Sequence, residues 1–251
     1  MTPERCDGLV LAAGAGTRYG MPKALAEDGA WLRTAVHALR AGGCARVFVV
    51  LGATGPASVE RETGSAPTWL VSQTPRIPVP AGAHPVWAAD WATGVSASLR
   101  AGLAAVASVG SAKSRARHAD HELAEGIAAD RNIAARISPA GNSREGNIDE
   151  PSAPPEYVAI MPVDTPDVGP EVVRRVIAAA RTSESGLARA YFGNTPGHPV
   201  ILGRGHWADV TANASGNYGA GTYLRGRPDM VCVTCDDLAT GIDRDYPCGT
   251  R

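Results

Sequence analysis

A glycine-rich stretch followed by two cationic side chains is the part of the sequence best suited to chemistry. Gly14 and Gly16 come directly after a short apolar run, and Arg18 and Lys23 follow them. Glycines after a strand allow backbone N–H groups to turn toward an anion. The Arg18 guanidinium adds a planar fork of donors that suits phosphate, and Lys23 adds a point charge. We therefore predict a cradle for a triphosphate.

Two other phosphate-binding motifs fit this stretch less well. A P-loop requires Gly-Lys-Ser/Thr at the start of a helix, whereas Lys23 follows Pro22 and precedes Ala24. A dinucleotide fingerprint requires a third glycine where Tyr19 stands, and an acid after the next strand, where the sequence has Leu-Gly-Ala at 51–53. The structural alternative to a phosphate cradle is an ordinary glycine-rich turn with two exposed cationic side chains.

The cysteines offer a weaker candidate site. The sequence has five of them, an odd number, at positions far apart: Cys6, Cys44, Cys232, Cys235 and Cys248. This distribution argues against a disulfide scaffold. Cys232 and Cys235 have the spacing of a metal or redox pair, but they lie in a stretch that is typical of a strand. Positions three apart in a strand face opposite sides of the sheet, which disfavours a metal or redox role.

Apolar runs and helical periodicities alternate along the chain, which predicts the elements that position these residues. We predict strands at 7–12, 46–51, 69–71 and 157–161, and helices at 31–41, 57–63, 96–106 and 171–180. Strands that alternate with helices indicate a mostly parallel, doubly wound α/β sheet. Ligands bind such sheets at the carboxyl ends of their strands.

One stretch interrupts this pattern. Residues 108–156 contain no Phe, Trp or Tyr and few large aliphatic side chains, while charges of both signs and prolines are frequent. This composition predicts a surface insertion, partly disordered, with a marginal helix over 121–137. We expect one domain over residues 1–251 that carries this insertion. A solvated insertion is the simpler interpretation, and a regulatory or partner-binding role is the alternative.

Composition excludes several classes of function. Of the 251 residues, 44% are hydrophobic and 20% are charged, which is typical of a globular chain. Lys plus Arg is 24 and Asp plus Glu is 25, for a formal net charge of -1, so a nucleic-acid partner is not expected. No apolar run reaches the roughly 18 residues of a membrane span, and the first residues lack a signal-peptide pattern. We therefore expect a cytoplasmic protein with no membrane partner.

The string from Leu11 to Lys23 resembles the signature of nucleotidyltransferases that share a Rossmann-like domain. The five-residue step from Arg18 to Lys23 is similar to that of the molybdenum-cofactor branch, the MobA/MocA-like proteins. Leu-Ala-Ala-Gly with Pro-Lys resembles the cytidylyltransferases of that branch. Its guanylyltransferases more often carry Leu-Ala-Gly-Gly with Asp-Lys.

Further strings resemble the motifs of this family in the order expected. They are the helix start at 94–103, Met-Pro-Val-Asp-Thr-Pro at 161–166, Gly-His-Pro-Val-Ile-Leu at 197–202, Gly-Asn-Tyr-Gly-Ala at 216–220 and Gly-Ile-Asp-Arg-Asp at 241–245. Three positions depart from the family pattern. Asn217 replaces an acid, Gly241 replaces the first Asp of Asp-Ile-Asp-Thr-Pro, and Ala88 stands where Asn is frequent. The phosphate loop, Asp164 and Asp243 match.

The resemblance implies a fold and a set of site residues. The implied fold is a Rossmann-like three-layer α/β/α domain with a mostly parallel sheet. Arg18, Lys23 and Asp164 would be catalytic, and Asp164 with Asp243 would hold Mg²⁺. The implied nucleotide-binding residues are Leu11, Ala12, Ala13, Gly14, Gly16, Thr17, Arg18, Lys23, Gly94 and Ser98, and the implied acceptor-binding residues are His198, Pro199 and Gly219. A structural interpretation remains open for Asp164 as a helix cap, for Asp243 as a surface charge and for His198 as a strand residue.

The implied activity is the Mg²⁺-dependent transfer of CMP from CTP to a phosphorylated acceptor such as molybdopterin, with release of pyrophosphate. Transfer from GTP, or to another phosphorylated small molecule, is the nearest alternative. An alternative of another class is a nucleotide- or cofactor-binding accessory protein for a client molybdoenzyme.

Overall fold

The computed structural model describes residues 4–55, 77–108 and 154–246. Seven strands are present in these ranges: β1 (Cys6–Leu11), β2 (Val47–Leu51), β3 (Ala83–Trp87), β4 (Tyr157–Pro162), β5 (Leu187–Phe192), β6 (Thr195–Gly203) and β7 (Val231–Thr234). The helices are α1 (Ala26–Ala41), α2 (95–108), α3 (Pro170–Thr182), α4 (Trp207–Asn213) and α5 (Gly221–Arg225). None of the helices described is both long and apolar enough to cross a bilayer.

The strands form one sheet in the order β3-β2-β1-β4-β6-β5-β7. β1 pairs in parallel with β2 on one side and with β4 on the other, and β6 runs antiparallel to its two neighbours. The chain thus builds one side of the sheet with β2 and β3, and then crosses to the other side of β1 at β4. A crevice forms at the carboxyl ends of strands where the order reverses in this way, and such crevices bind ligands in open α/β sheets.

Helices cover both faces of the sheet, which confirms the predicted three-layer α/β fold. The apolar faces of α1 and α3 pack together with alternate β1 and β2 side chains in one buried cluster. On the other face α2 approaches β1 closely, since a Cβ at Gly102 would lie 2.5 Å from the Leu9 Cδ1 atom. The central strands are consequently buried on both faces, as parallel strands require.

The sequence located most of the central elements. Strands at 7–12, 46–51 and 157–161 and helices at 31–41, 96–106 and 171–180 are confirmed with small shifts of their ends. Glu27, Asp28 and Gly29 have left-handed backbone angles within α1, so its regular turns begin close to the predicted start at Trp31. The predicted elements at 57–63 and 69–71 and the insertion at 108–156 lie almost wholly outside the described residues. β3 was not predicted.

The cysteine pair follows the strand geometry. Cys232 lies in β7 and is exposed, whereas Cys235 follows the strand and is buried, and both are free thiols. Within the ranges described, no group of three or more His, Cys, Asp or Glu side chains is arranged to hold a metal ion by itself. The two thiols thus differ in their access to solvent, as positions three apart in an extended segment should.

A buried ion pair fixes the amino-terminal ends of the central strands. The Asp7 side chain in β1 is fully buried, and its Oδ2 atom accepts hydrogen bonds from Arg46 Nε at 3.0 Å and Nη2 at 2.7 Å. Arg46 precedes β2, and its guanidinium also lies 5.7 Å from the centre of the Phe48 ring. A buried carboxylate requires such a partner, because an unpaired charge away from water is strongly destabilising.

We expect Arg46→Met to lower the free energy of unfolding by about 3 kcal/mol, because it leaves the Asp7 carboxylate without its main partner. Urea unfolding followed by circular dichroism measures this loss. Arg33→Met, at an exposed position of α1, is the matched control and should change stability by less than about 0.5 kcal/mol. An Arg46→Met protein as stable as this control would show that the pair does not support the sheet.

Candidate active site

A cavity of about 650 Å³ opens at the carboxyl ends of β1 and β4. Six parts of the chain line it: the loop after β1, the start of α2, the end of β4, the β5–β6 pair, the segment around 217–224 and the segment at 243–245. Its position is the crevice that the order of the strands creates. The cavity is therefore the place where the fold brings distant polar side chains together.

The glycine-rich loop forms one wall of this cavity. Gly16 has a φ of +62°, and a Cβ there would lie 1.8 Å from the Met21 carbonyl oxygen, so only glycine fits this tight turn. Gly14 has no atom within 4 Å of its Cβ position, so its backbone faces open space in the cavity. The loop thus combines a fixed turn with an exposed backbone that a ligand can approach.

Lys23 joins two carboxylates from distant parts of the chain. Its Nζ atom donates to Asp164 Oδ2 and to Asp245 Oδ1, each at 2.7 Å. Burial by itself would lower the pKa of Lys23, but the hydrogen bonds and the negative charges of both carboxylates raise it above its ordinary value. Lys23 is consequently a fixed positive charge at the end of the cavity near the glycine-rich loop.

Arg18 contacts the same cluster from the solvent side. Its Nη1 atom lies 2.9 Å from Asp245 Oδ2, and 67% of its side chain is exposed. The hydrogen bond from Lys23, followed by the charges of Lys23 and Arg18, lowers the pKa of Asp245. Asp245 therefore forms ion pairs with both cations that the sequence assigned to a phosphate cradle.

Asp164 and Asp243 supply the carboxylate oxygens that could hold a divalent cation. The Oδ1 atom of Asp164 is buried and has no hydrogen-bond partner in the part of the chain described. Asp243 is an exposed residue. Desolvation of the Asp243 carboxyl group, and then the charges of Asp164 and Asp245, nevertheless raise the pKa of Asp243. An unpartnered oxygen beside crowded carboxylates fits Mg²⁺, which binds one or two carboxylates together with phosphate oxygens and water.

Backbone contacts bring Asp243 and Asp245 to the cavity. The Asp167 Oδ2 atom accepts hydrogen bonds from the backbone N–H and the hydroxyl of Thr240, at 2.7 and 2.5 Å. The Arg244 N–H donates to the Asp164 carbonyl at 2.9 Å. Gly241 has a φ of +63°, and a Cβ there would lie 2.0 Å from the Phe192 ring. Glycine therefore replaces the acid of the family motif at a position that cannot accept a side chain in this packing.

A third cation and a histidine, Arg189 in β5 and His198 in β6, also line the cavity. The half-buried Arg189 donates through Nε to the Gly197 carbonyl at 2.8 Å. His198 has a buried Nδ1 atom without a hydrogen-bond partner among the described residues. Burial and then the charge of Arg189 lower the pKa of His198 to about 4, so the ring is neutral at pH 7.

Most of the sequence-predicted site residues meet at this cavity. Those that line it are Leu11, Ala12, Ala13, Gly14, Gly16, Thr17, Arg18, Lys23, Ser98, Asp164, His198, Gly219 and Asp243. Two do not line it. Pro199 is buried next to His198, and the Cβ position of Gly94 is 2.5 Å from the Gly216 carbonyl oxygen, so Gly94 packs against the neighbouring turn instead.

Sequence reasoning missed two charged residues of the cavity, Asp245 and Arg189. Asp245 was visible only as one of several aspartates near the carboxyl end, and it stands where the family motif has proline. Arg189 lies in a strand that the sequence analysis did not single out. A charged residue within an otherwise apolar strand is the signal that could have marked it.

Residues 8–231 match the family described as the MobA-like NTP transferase domain. A nicotine blue oxidoreductase from Paenarthrobacter nicotinovorans is 25% identical over 95% of this chain and 91% of its own length. Among solved structures, Rv0371c from Mycobacterium tuberculosis is 20% identical, with a TM-score of 0.57 over 98% of this chain and 95% of its own.

Two further structures share the fold. A nucleotidyl transferase from Methanothermobacter thermautotroptrophicus has a TM-score of 0.55 at 14% identity, over 96% of this chain and 92% of its own. The 2-C-methyl-D-erythritol 4-phosphate cytidylyltransferase from Thermus thermophilus has a TM-score of 0.50 at 16% identity, over 97% and 94%. Because the matching family spans most of the sequence, this chain belongs to the MobA-like NTP transferase domain family.

Proposed function

We propose that this protein transfers CMP from CTP to a phosphorylated small molecule, with molybdopterin as the leading acceptor, and that Mg²⁺ is required. The observation that carries the proposal is the contact of Lys23 with Asp164 and Asp245 at 2.7 Å beside the exposed backbone of Gly14. Cations for phosphates and carboxylates for a metal thus meet in one cavity of a nucleotidyltransferase fold.

The cations bind the triphosphate and stabilise the leaving group. Arg18 and Lys23 lie on the side of the glycine-rich loop, where the β- and γ-phosphates would contact backbone N–H groups. Negative charge accumulates on pyrophosphate as the bond to the α-phosphorus breaks. Fixed cations that are already in place stabilise that charge without reorganisation, which lowers the barrier.

Asp164 and Asp243 would hold the metal ion through their carboxylate oxygens. Bound Mg²⁺ would neutralise charge on the α-phosphate and so reduce its repulsion of the acceptor. The chain does not need a strong general base, because an acceptor phosphate is already an anion. The remaining task of the cavity is to align the two substrates, which removes much of the entropic barrier.

A second candidate function is oxidoreduction. The observation that favours it is the similarity of this chain, over 95% of its length, to the relative from P. nicotinovorans that is named as an oxidoreductase. Oxidation of a reduced nicotinamide nucleotide by an added quinone as electron acceptor, followed by absorbance without any triphosphate, tests it directly. A third outcome, nucleotide binding without pyrophosphate release for any phosphorylated acceptor, would favour an accessory protein for a molybdoenzyme.

We expect CTP to support pyrophosphate release with molybdopterin, and GTP to support it at least tenfold less well, which corresponds to about 1.4 kcal/mol of discrimination. The preference rests on Ala12, Ala13 and Pro22, which resemble the cytidylyltransferase signature. Coupled detection of pyrophosphate with both nucleotides, in the presence and absence of molybdopterin and Mg²⁺, measures it. A higher rate with GTP would contradict the assignment of the base.

Asp164→Asn should lower turnover by about 10³-fold, because the site loses a charge that stabilises the transition state. Its effect on CTP affinity should be much smaller, since Gly14, Gly16, Arg18 and Lys23 remain. Arg18→Ala should weaken both CTP affinity and turnover, because Arg18 would contact the phosphates in the ground and transition states alike.

Steady-state pyrophosphate release and calorimetric titration of CTP separate these effects. Asp209→Asn, an exposed aspartate of α4, serves as the control and should behave as the wild type. Near-normal turnover of Asp164→Asn would exclude Asp164 as a metal ligand.

Asp245→Asn should increase the affinity for CTP in the presence of EDTA by about fivefold, or roughly 1 kcal/mol. The physical reason is that Asp245 competes with phosphate oxygens for Arg18 and Lys23 when no metal is bound. Titration calorimetry without metal measures this gain. Asp229→Asn breaks an exposed ion pair with Arg227 and should leave the affinity unchanged. Equal or weaker binding by Asp245→Asn would show that the carboxylate does not compete.

A further inference from the structure

The turn that follows β6 carries a histidine whose two ring nitrogens both have partners. His206 Nε2 lies 2.7 Å from the Ser185 carbonyl oxygen, and His206 Nδ1 lies 2.7 Å from the Tyr223 hydroxyl oxygen. Since a carbonyl oxygen can only accept a hydrogen bond, Nε2 carries a proton. In the neutral ring Nδ1 therefore has a lone pair, and the Tyr223 hydroxyl donates to it.

Arg227 extends these two contacts into a relay of hydrogen bonds. Its Nη1 atom donates to the Tyr223 hydroxyl oxygen at 3.1 Å, and its guanidinium lies 5.5 Å from the centre of the Tyr223 ring. Each group of the relay donates to the next, and the Ser185 carbonyl is the final acceptor. Hydrogen bonds that run in one direction polarise and strengthen one another, so the relay depends on a neutral histidine.

The relay connects one wall of the cavity to the sheet. Tyr223 belongs to α5, and residues 217–221 and Leu224 line the cavity. Ser185 comes just before β5, and His206 comes just after β6. A helix of five residues is too short to be stable by its own hydrogen bonds. The position of this α5 wall, residues 217–224, consequently depends on contacts such as that of Tyr223 with His206.

Protonation of His206 would break the direction of the relay. Both ring nitrogens would then donate, so the proton of the Tyr223 hydroxyl would lose its acceptor. The imidazolium and the Arg227 guanidinium would also be two cations hydrogen-bonded to one oxygen. Histidine is the side chain that changes charge between pH 5 and 8, which places this event near physiological pH.

The other charges near the relay give a protonated His206 no new ion pair. The charged side chains around the relay are Arg227 and Asp229 after α5, Asp209 in α4 and Arg204 on the same turn as His206. Both carboxylate oxygens of Asp229 already accept hydrogen bonds from Arg227, at 2.8 and 2.6 Å. The hydrogen bond from Arg227 is the main cause that lowers the pKa of Asp229, and the charge of His206 adds to it.

We propose that His206 is a positioning residue of the cavity. The neutral ring holds Tyr223, and through it the α5 wall, whereas protonation releases this contact and weakens the binding of the acceptor. The inference rests on the proposed function only in its choice of ligand, because the family resemblance assigned Gly219 of this wall to the acceptor.

Nitrogen-15 NMR of the imidazole rings tests the geometry without any ligand. We expect the His206 signals, identified by their absence in His206→Gln, to show a protonated Nε2 and an unprotonated Nδ1 at pH 8. Amide hydrogen exchange over residues 217–224, corrected for the intrinsic effect of pH, should become at least threefold faster as His206 is protonated. His206→Gln keeps one donor and one acceptor but does not titrate, so its corrected exchange should not vary with pH.

Kinetics with molybdopterin, Mg²⁺ and saturating CTP measure the effect on the ligand. From pH 8 to pH 5.5 the acceptor KM of the wild type, relative to that of His206→Gln, should rise about fivefold, as expected for the loss of one hydrogen bond. The relative kcat should stay constant. The comparison of the two proteins cancels the ionisation of the acceptor itself. His37→Gln, at an exposed position of α1, is the control and should follow the wild type at every pH.

Tyr223→Phe separates the relay from the mere presence of a histidine. It keeps a titrating ring at position 206 but removes its link to α5, so exchange over 217–224 should already be fast at pH 8 and should no longer follow the charge of His206. This variant also decides the question if His206→Gln fails to fold, and circular dichroism reports the folded state of both.

The measurements identify which proposal fails. A His206 ring that is still neutral at pH 5, the opposite tautomer at pH 8, or exchange in the α5 wall that ignores the charge of His206 would overturn the positioning role whatever the activity. If the NMR and exchange results follow the expectation and no pyrophosphate is released, the transferase activity fails alone. An acceptor KM whose pH dependence is the same in the wild type and His206→Gln would show that the wall does not serve the acceptor.

Discussion

The contact of one ammonium group with two carboxylates organises the site. Lys23 comes from the segment after β1, Asp164 from the end of β4 and Asp245 from the carboxyl-terminal segment, and both distances are 2.7 Å. The contact depends on the parallel pairing of β1 with β4, which sets the ends of the two strands side by side. Lys23 thus links the side chains of three distant segments, which makes the geometry of these side chains sensitive to any ligand that competes for their charges.

The structure gives a physical reason for two departures from the family motif in the carboxyl-terminal segment, at positions 241 and 245. Gly241 lies against the Phe192 ring with a positive φ, so an acid at this position would require the segment to move. Asp245, where the family motif has proline, forms ion pairs with both Arg18 and Lys23. This chain thus lacks the carboxylate at position 241 and has one four residues later. Because Arg244 stands where the motif has threonine, the segment carries one negative charge less than the motif, and one of its two carboxylates contacts the predicted phosphate cradle.

The sequence predicted the central part of the fold because the signals there are strong and local. β1, β2 and β4 are buried on both faces and appear as continuous apolar runs, and α3 shows a clear apolar stripe at Val172, Val173, Val176 and Ile177. β3 gives no such signal. It lies at the edge of the sheet, is only partly buried and contains Pro85, which is typical of an edge strand and resembles a loop in sequence.

The candidate site was likewise predictable only where residue types are clustered along the chain, as from Leu11 to Lys23. Asp245 lies 222 positions from Lys23, and no local pattern distinguishes it from the nearby Asp236 and Asp237, so only the packing of the strands reveals its role.

The charges of the cavity alternate in a way that restricts its ligands. Arg18 and Lys23 follow β1, Asp164 follows β4 and Arg189 lies in β5, so the strand order β1-β4-β6-β5 places Asp164 between the two groups of cations. A triphosphate at the glycine-rich loop would contact Arg18 and Lys23, and the nearby carboxylates would repel it unless a divalent cation were also bound. Arg189 would still lack an anion. Charge–charge interactions are stronger in a partly desolvated cavity than in water, so under the proposed function this arrangement would favour the joint binding of triphosphate, metal and anionic acceptor over the binding of any one alone.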